Sequence, residues 1–442
     1  MVNNTKSFLN KIENLIQFAQ KSGATQSQIY LLNNDDFSVE VRNGEIQELN
    51  KSISANFGIK ILVDDKVATA STSDLRDETI ERLILNAIKR AQYSEPDEFM
   101  RLADFITNDF DADSLEIYDP EIGTIDNNYK IAQALKLEKI AMSDNRIKVS
   151  DGAMYGTTVS EVFAANSNGL LGSFRNTSIG GGVHLLAGED DQMFEEGWWE
   201  NSIFASKMKS VEEIAAIAVN RVTRLLGAKK IDSGTMPVVM EPNVASSLFG
   251  FFASCISGGA VYMHRTFLAD KLNEKIAADI LNILDNGRLV GGTGTLPFDS
   301  DGTPTRLNSI VKDGVLQTYL LGTYSARKLG MKSTGNASGP TNFIISPTEK
   351  TQDDLIKSIN KGILITSTIG QGTDSTTGDI SKGAFGMMIE NGELSHPVAE
   401  ITFSGNLGNI LNNIEMIADN PNTSRSVQSP AIKIGEISIS GN

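Results

Sequence analysis

The dipeptide Asn391-Gly392 constrains the fold of this chain most, because it stands between two segments of strand-forming sequence. Asn-Gly is the strongest short-range signal for a two-residue turn between antiparallel strands, since both residues accept positive φ angles. The flanking segments, Ala384–Glu390 and Glu393–Phe403, are therefore predicted to form a long hairpin. The stretch before it, Gly372–Asp379, is polar, and its glycines permit tight turns that expose backbone N–H and C=O groups. We expect a polar loop carried on a long hairpin.

The remaining pattern predicts an α+β protein. Apolar residues spaced by three and four predict amphipathic helices at Thr5–Lys21 and Asn127–Met142. Separate strands are predicted at Gln26–Leu32 and Asp36–Arg42, and Tyr93–Pro120 is predicted to be a linking segment because it is acidic and contains two prolines. We therefore expect an N-terminal region that resembles an α/β sandwich, followed by a β-rich C-terminal domain with antiparallel hairpins. The predicted divisions are an N-terminal α+β domain at 1–95, a middle α+β region at 96–230 and the β-rich C-terminal domain at 231–442.

Charge and cysteine content exclude several classes of protein. The formal net charge is −16, which argues against direct binding of nucleic acid, because neutralising phosphates requires clustered Lys and Arg. The one cysteine, Cys255, excludes an intramolecular disulfide framework and is typical of a reducing compartment. The N-terminus lacks the apolar core of a secretory signal, and no run approaches the roughly 18 apolar residues of a membrane span. We expect a cytoplasmic protein without a membrane segment.

Four blocks of the C-terminal half resemble, in the same order, the signature of the TldD/PmbA family. They are Gly291–Asp299, Val311–Met331, Thr334–Asn342 and Thr376–Leu407, the last reading TTGDxSxGxxGxxIENGELxxPVxEITxxGNL. The resemblance is densest from about Asp232 to Gly408, and over the N-terminal half it extends to length and pattern only. The activity that it implies is hydrolysis of unfolded or extended peptides, including the maturation of peptide precursors.

The resemblance also implies where a zinc site would lie. TldD-type chains carry a His-Glu pair and a second His about one turn later, so that both imidazoles bind zinc while the Glu activates water. The matching helix here, Val244–Cys255, contains no His and no Glu, and Ser426–Pro430 stands where the family has a further cysteine. The chain thus resembles the PmbA (TldE) side of the family. This implies no catalytic residue, metal ligand or cofactor in this chain, with zinc held by a TldD-like partner in a heterodimer; a homodimer stays open.

The residues leave weaker alternatives for a self-contained site. His184 and His396 lie within strand patterns, where a hydrogen-bonded structural histidine is the commoner role. Cys255 and His264 are close enough in sequence to form a nucleophilic pair, although a cysteine on an apolar helix usually packs. Ser325–Lys328 has the spacing Ser-x-x-Lys but lacks the companion motifs of serine acyl-transfer enzymes.

Two polar loops, Ser333–Gly339 and Thr373–Asp379, are the candidate contacts for a peptide substrate. Asp374 and Asp379 could bind a cation, but in a Ser/Thr/Gly loop they more often form local Asx turns. A β-rich surface can hold an extended peptide by strand addition. Roughly five backbone hydrogen bonds at about 1 kcal/mol each give only about millimolar affinity or weaker once ordering is counted, so capture requires enclosure or side-chain pockets. The predicted substrate-binding residues are Ser333, Thr334, Gly335, Asn336, Thr376, Thr377, Gly378 and Asp379.

The function expected from these observations is that of a PmbA/TldE-like subunit of a TldD–PmbA-type metallopeptidase complex. The alternative from another class is a non-enzymatic interaction protein, a role that the family's naming as a modulator of DNA gyrase also suggests. A third, weaker alternative is a thiol hydrolase that uses Cys255.

Overall fold

The computed structural model describes residues 5–104, 111–189 and 193–441, and within these ranges the chain has the predicted α+β composition. The helices are α1 (Thr5–Lys21), α2 (Asp77–Tyr93), α3 (Asn127–Ala141), α4 (Val211–Thr223), α5 (Pro242–Cys255), α6 (Gly258–Tyr262), α7 (Thr323–Lys328), α8 (Gln352–Lys357) and α9 (Leu407–Asn412). The strands are β1 (Gln26–Arg42), β2 (Glu45–Val63), β3 (Lys66–Thr72), β4 (Ile147–Asn166), β5 (Leu171–Ala187), β6 (Phe194–Ser202), β7 (Gly234–Met240), β8 (Ile283–Asn286), β9 (Leu307–Lys312), β10 (Val315–Leu316), β11 (Phe343–Ile345), β12 (Lys361–Ile369), β13 (Asp379–Glu390), β14 (Glu393–Asn406), β15 (Ile414–Ile417), β16 (Val427–Gln428) and β17 (Ile432–Ser440).

The N-terminal half contains one antiparallel sheet of six strands in the order β3-β2-β1-β4-β5-β6. Because β1 pairs with β4, the sheet takes strands from both sides of residue 95. The prediction of separate strands at Gln26–Leu32 and Asp36–Arg42 is wrong, since β1 runs unbroken between β2 and β4. Hydrogen bonds along both edges keep the polar residues between those two segments in the extended conformation.

All four long N-terminal helices cover the same face of this sheet. Ile29 and Leu31 of β1 pack in the core that α1 and α2 complete, while Phe37 and Val39 pack in the core beneath α3 and α4. These four positions are odd-numbered on an unbroken strand, so their side chains point to the same side. The opposite face of the sheet is left for the C-terminal half. There Tyr30 donates a 2.6 Å hydrogen bond from its hydroxyl to the backbone carbonyl of Asp299.

The C-terminal half is built from two sheets with α5 between them. One sheet has the order β14-β13-β12-β7-β17-β15, and a further pairing of β14 with β17 closes it on itself. The other has the order β10-β9-β8-β11-β16. Phe249 and Phe252 of α5 are fully buried and pack in one core with Ile363 of β12 and Phe343 of β11. The core thus fixes α5 from two sides.

The predicted hairpin at Asn391-Gly392 is confirmed. It joins β13 to β14, and both turn residues have positive φ, 52° at Asn391 and 80° at Gly392. The β-rich C-terminal fold is also confirmed. It contains two parallel strand pairings that no local sequence pattern predicted, β7 with β12 and β11 with β16.

The predicted linking segment after α2 is held by α7 as far as residue 104. The hydroxyl of Tyr324 donates to Asp97 at 2.7 Å, and Arg327 donates to the backbone carbonyl of Arg101 at 2.7 Å. Lys328 lies over the ring of Phe99, with its Nζ 4.2 Å from the ring centroid. The middle of the predicted segment, 105–110, lies outside the described residues. The cations of α7 therefore connect the C-terminal half to the chain that follows α2.

Candidate functional site

Two adjoining cavities of about 470 and about 560 Å³ lie between the two halves of the chain. One wall is the helix-free face of the N-terminal sheet, and the other contains α5 and the loop before β16. Trp199, Ser247 and Arg425 line both cavities, and we refer to the two together as the cleft. Its other lining residues include Met154, Gly182, His184, Glu196, Asn201, Arg221, Asn243, Ser246, Ser367, Ser424 and Ser426.

Glycines in β5 make room for an aromatic side chain on the sheet wall of the cleft. A methyl group added at Gly182 would lie 2.6 Å from Cε3 of Trp199, and one at Gly180 would lie 3.1 Å from its Cζ2. The indole of Trp199 therefore lies flat against β5, where any larger residue would displace it. Its neighbour Trp198 points to the opposite face and donates from Nε1 to Glu200 at 2.9 Å. The cleft thus has an aromatic surface that remains two-fifths exposed.

A buried cluster of charges joins α4 to both walls of the cleft. Arg221 donates to Glu196 of β6 at 2.9 Å, to Glu241 at 3.2 Å and to the backbone carbonyl of Thr366 at 2.9 Å. Arg224 binds the same Glu241 through two hydrogen bonds. Glu241 immediately precedes α5, so this cluster sets the position of the helix relative to the N-terminal sheet.

Arg425 stands at the mouth of the cleft on a loop that is tied to α5. Asn422 donates to the side-chain oxygen of Asn243 at 2.6 Å, and the backbone N–H of Ser429 donates to the hydroxyl of Ser246 at 3.2 Å. The Arg425 side chain is exposed to solvent at this opening, yet the cleft walls desolvate its guanidinium. This desolvation lowers the pKa of Arg425, and the positive charge of Arg221 lowers it further. The guanidinium stays protonated, since arginine does not lose its proton in proteins.

The donor set around α5 does not fit a zinc ion. The helix contributes Asn243, Ser246 and Ser247 to the cleft wall, and amide and hydroxyl groups are poor zinc ligands. The carboxylate of Glu196 is bound by Arg221. Across the ranges that the structure describes, no group of three or more His, Cys, Asp and Glu residues lies close enough together to hold a metal.

The self-contained alternatives find little support in the geometry. Cys255 is fully buried, and burial raises the pKa of its thiol to about 11, so the reactive thiolate is disfavoured. His264 is exposed, and its nearest acidic partner is Asp270 at 3.9 Å. Lys328 faces Asp97 at 3.6 Å, while Ser325 donates its hydroxyl to the backbone. Neither the pair of Cys255 and His264 nor the pair of Ser325 and Lys328 therefore has the environment that activates a nucleophile.

The first predicted substrate loop, Ser333–Gly339, is largely a buried polar network. Asn336 donates to the carboxylate of Asp285 at 2.7 Å, and the Thr334 hydroxyl accepts from the backbone N–H of Leu321 at 2.7 Å. Burial raises the pKa of Asp285. Gly335 has a φ of 78°, which a larger residue rarely adopts. The side chains predicted to bind substrate here are thus already engaged in hydrogen bonds within the fold.

The second predicted loop, Thr373–Asp379, is exposed and organised by local turns. The backbone N–H of Thr376 donates to Asp374 at 2.8 Å, which is an Asx turn, and Thr377 donates its hydroxyl to Asp379 at 2.9 Å. Hydrogen bonds from Asn406 and then Thr377 lower the pKa of Asp379. Gly378 is buried at the base of the loop.

The structure does not bring the two predicted loops together at the cleft. Asn336 and Gly339 border a separate cavity of about 350 Å³ beside α6 and α7. Thr373 borders a small apolar pocket that shares Ser247 with the cleft. No sequence pattern indicated the residues of the cleft itself, Trp199 and Arg425 among them. The three glycines at 180–182 beside a Trp-Trp pair were the available signal.

Sequence comparisons agree with this architecture along nearly the whole chain. Family models described as PmbA/TldA metallopeptidase domain 1, central domain and C-terminal domain match residues 28–91, 120–226 and 233–441. The chain is 32% identical over 429 residues to a "Metalloprotease PmbA homolog" of Haemophilus influenzae, covering 97% of this chain and 94% of the relative. The chain belongs to the PmbA/TldD family.

Solved structures of other proteins share this fold. A crystal structure of a protein described as a modulator of DNA gyrase, from Bacteroides thetaiotaomicron, superposes with a TM-score of 0.92 at 30% identity and full coverage of both chains. TldE from Thermococcus kodakarensis has the same fold, with a TM-score of 0.84 at 21% identity, covering 97% of this chain and all of the other. Among the described residues of this family member, no helix is long and apolar enough to cross a membrane. The cytoplasmic location stays a prediction.

Proposed function

We propose that this chain is the PmbA-type subunit of a two-chain metallopeptidase, in which a TldD-like partner holds the zinc and the water-activating Glu. The observation that supports this division of labour most is the cleft wall at α5, which offers Asn243, Ser246 and Ser247 where a zinc site would need imidazole and carboxylate. The chain contributes to the complex by enclosing and orienting the substrate.

The substrate proposed for this complex is an unfolded or extended peptide. Strand β6 is an edge of the N-terminal sheet, and β5 is its only paired neighbour among the described residues. An extended chain beside β6 can form backbone hydrogen bonds without regard to sequence. These bonds alone are too weak, but the cleft adds enclosure and the aromatic surface of Trp199. An edge strand with an adjoining cleft is therefore suited to extended peptides.

The test compares the purified chain, a TldD-like partner from the same genome, and their mixture. We expect stoichiometric zinc in the partner and in the complex but not in this chain, measured by elemental analysis. Cleavage of an unfolded protein should need both chains. The change Trp199→Ala should raise the KM of the complex, while Tyr93→Ala, a change at a nine-tenths exposed ring on α2, should leave it unchanged. Zinc and cleavage in the isolated chain would refute the proposal.

The second candidate is a non-enzymatic interaction protein, and the description of the Bacteroides relative as a modulator of DNA gyrase favours it. The net charge of −16 suits a protein partner better than DNA. Under this candidate the complex would form, but no change in the cleft or in Thr373–Asp379 would alter peptide cleavage.

A further inference from the structure

The charge of the cleft indicates what kind of peptide it receives. Its charged lining residues are Glu196, Arg221 and Arg425, and the imidazole of His184 also lines it. Glu196 and Arg221 pair at 2.9 Å, so their charges compensate each other. Arg425 forms no hydrogen bond or ion pair with any residue in 5–104, 111–189 or 193–441. The cleft therefore carries one uncompensated positive charge in a chain whose net charge is −16.

The acidic neighbour of Arg425 is already bound elsewhere. Glu200 attracts the Arg425 guanidinium electrostatically, but its carboxylate accepts from Lys209 at 2.8 Å and from Nε1 of Trp198 at 2.9 Å. Glu200 is also nearly fully buried. No acidic side chain of the described protein thus occupies the binding geometry of Arg425.

We propose that Arg425 binds a carboxylate of the peptide in the cleft, either the C-terminal carboxylate or that of an Asp or Glu side chain. A guanidinium presents two parallel N–H groups that match a carboxylate, and charge-assisted hydrogen bonds of this kind are about twice as strong as neutral ones. Ser426 lies next to Arg425 in the same lining and offers a hydroxyl as a further donor. This inference rests on the proposed function, because it assigns a substrate feature to the same cleft.

The loop that carries Arg425 is held before any ligand arrives. The Asn422–Asn243 and Ser429–Ser246 hydrogen bonds tie it to α5, and the backbone N–H of Phe343 donates to the carbonyl of Ser426 at 2.8 Å. A fixed loop lowers the entropy cost of binding, so a single ion pair can discriminate between ligands. At physiological ionic strength, salt screens the long-range repulsion between the acidic surface of the chain and a peptide carboxylate. The short-range ion pair between Arg425 and that carboxylate is screened less.

The experiment measures the binding of three labelled peptides of one extended sequence without acidic residues. The first has a free C-terminal carboxylate, the second a C-terminal amide, and the third an amide plus one internal Gln→Glu change. Fluorescence anisotropy is recorded with the full chain alone and with its complex, in which the partner's water-activating Glu is replaced by Gln to prevent cleavage. We expect wild type to bind at least one carboxylate peptide about tenfold more tightly than the plain amide, since the amide cannot form the charge-assisted hydrogen bonds with the guanidinium.

Variants then assign the preference to Arg425. Arg425→Gln should remove the preference, so that the carboxylate peptides bind no more tightly than the plain amide, and Arg425→Lys should retain part of the preference. Arg82→Gln, at an exposed arginine of α2 outside the cleft, serves as the matched control and should behave as wild type. Thermal melting confirms that each variant is folded.

Each outcome decides between the inference and the proposed function. Equal affinity of wild type for all three peptides overturns the carboxylate inference and leaves the proposed function standing. An equal loss of acid and amide binding in Arg425→Gln also overturns it. Failure of all three peptides to bind wild type, alone or in the complex, overturns both. Tighter binding of the first peptide would identify the ligand as a C-terminal carboxylate, and tighter binding of the third would identify it as an acidic side chain.

Discussion

The guanidinium of Arg224 and the carboxylate of Glu241 form a two-bonded ion pair, with 2.6 Å between Nη1 and Oε1 and 2.9 Å between Nη2 and Oε2. Glu241 also accepts from Arg221 and is nearly fully buried. One carboxylate therefore binds both Arg221 of α4 and Arg224, which follows the last residue of α4, at the point where α5 begins. The position of α5, and with it one wall of the cleft, depends on this residue.

Glu241→Gln should therefore be strongly destabilising. The change leaves the half-buried guanidinium of Arg224 without its anion and the buried guanidinium of Arg221 with Glu196 alone. Breaking a buried ion pair from one side costs about 3–5 kcal/mol. We expect a decrease of that order in the free energy of unfolding, measured by urea denaturation of the purified chain. The matched control is Glu274→Gln, which removes an exposed pair with Lys271 at 2.8 Å and should change the free energy little. Equal effects of the two changes would contradict the assigned role of Glu241.

Stability should fall as the pH rises from about 4 to above 6, with Asp299 as one cause. Burial raises the pKa of this carboxyl from 3.8 to about 6, against hydrogen bonds from the backbone N–H of Ala337, Thr303 and Asp301 that favour the charged form. The folded state therefore holds a proton that the unfolded state has already released between these two values. The contribution is fully present below about pH 4 and is lost above about pH 6, and by linkage it amounts to roughly 3 kcal/mol.

Comparison with Asp299→Asn isolates this contribution. The variant lacks the titrating carboxyl and therefore does not lose this contribution. The free energy of unfolding of wild type should fall relative to that of the variant as the pH rises from about 4 to about 6. Urea denaturation at several pH values measures the difference. A difference that is constant from pH 4 to 7 would contradict the raised pKa of Asp299.

Local turn chemistry made the hairpins predictable. Asn43, Asp313 and Asn391 all have positive φ and each precedes a glycine, so the sequence signal and the backbone requirement coincide within two residues. Helix α1 was predictable for a similar reason, because its buried residues recur at helical spacing. In these elements the decisive interactions lie between near neighbours in sequence.

Features that depend on pairing between distant segments of the chain could not be predicted from the sequence. The polar residues Asn33–Asp36 interrupt the strand pattern, yet Asn34 is paired with Ser54 on one side and with Ser160 on the other. The cleft could not be predicted for the same reason, because Trp199, Ser247 and Arg425 belong to three segments that lie far apart in the sequence. No periodicity in the sequence reports that these three residues line one cavity.

Cys255 should be unreactive in the folded chain and dispensable for activity. Its side chain is fully buried and its pKa is raised to about 11, so at neutral pH almost none of it is thiolate. We expect a thiol reagent to label the chain only after denaturation, and Cys255→Ala to leave cleavage by the reconstituted complex unchanged. Rapid labelling of the native chain, or loss of cleavage in a folded Cys255→Ala variant, would revive the thiol-hydrolase alternative.

The exposed loop Thr373–Asp379 offers a test that separates the subunit proposal from the interaction-protein candidate. The Thr376 side chain makes no hydrogen bond within the described residues, so Thr376→Ala should leave the free energy of unfolding unchanged. If the loop contacts substrate in the complex, the variant should raise KM about threefold to tenfold with little change in kcat, as expected when binding common to substrate and transition state is lost. Ser52→Ala, an exposed position on β2, is the matched control.

If the Thr376→Ala variant and its partner still assemble but cleavage keeps its wild-type KM, Thr376 is not a substrate contact. The interaction-protein candidate would gain support if changes at Trp199 were equally silent.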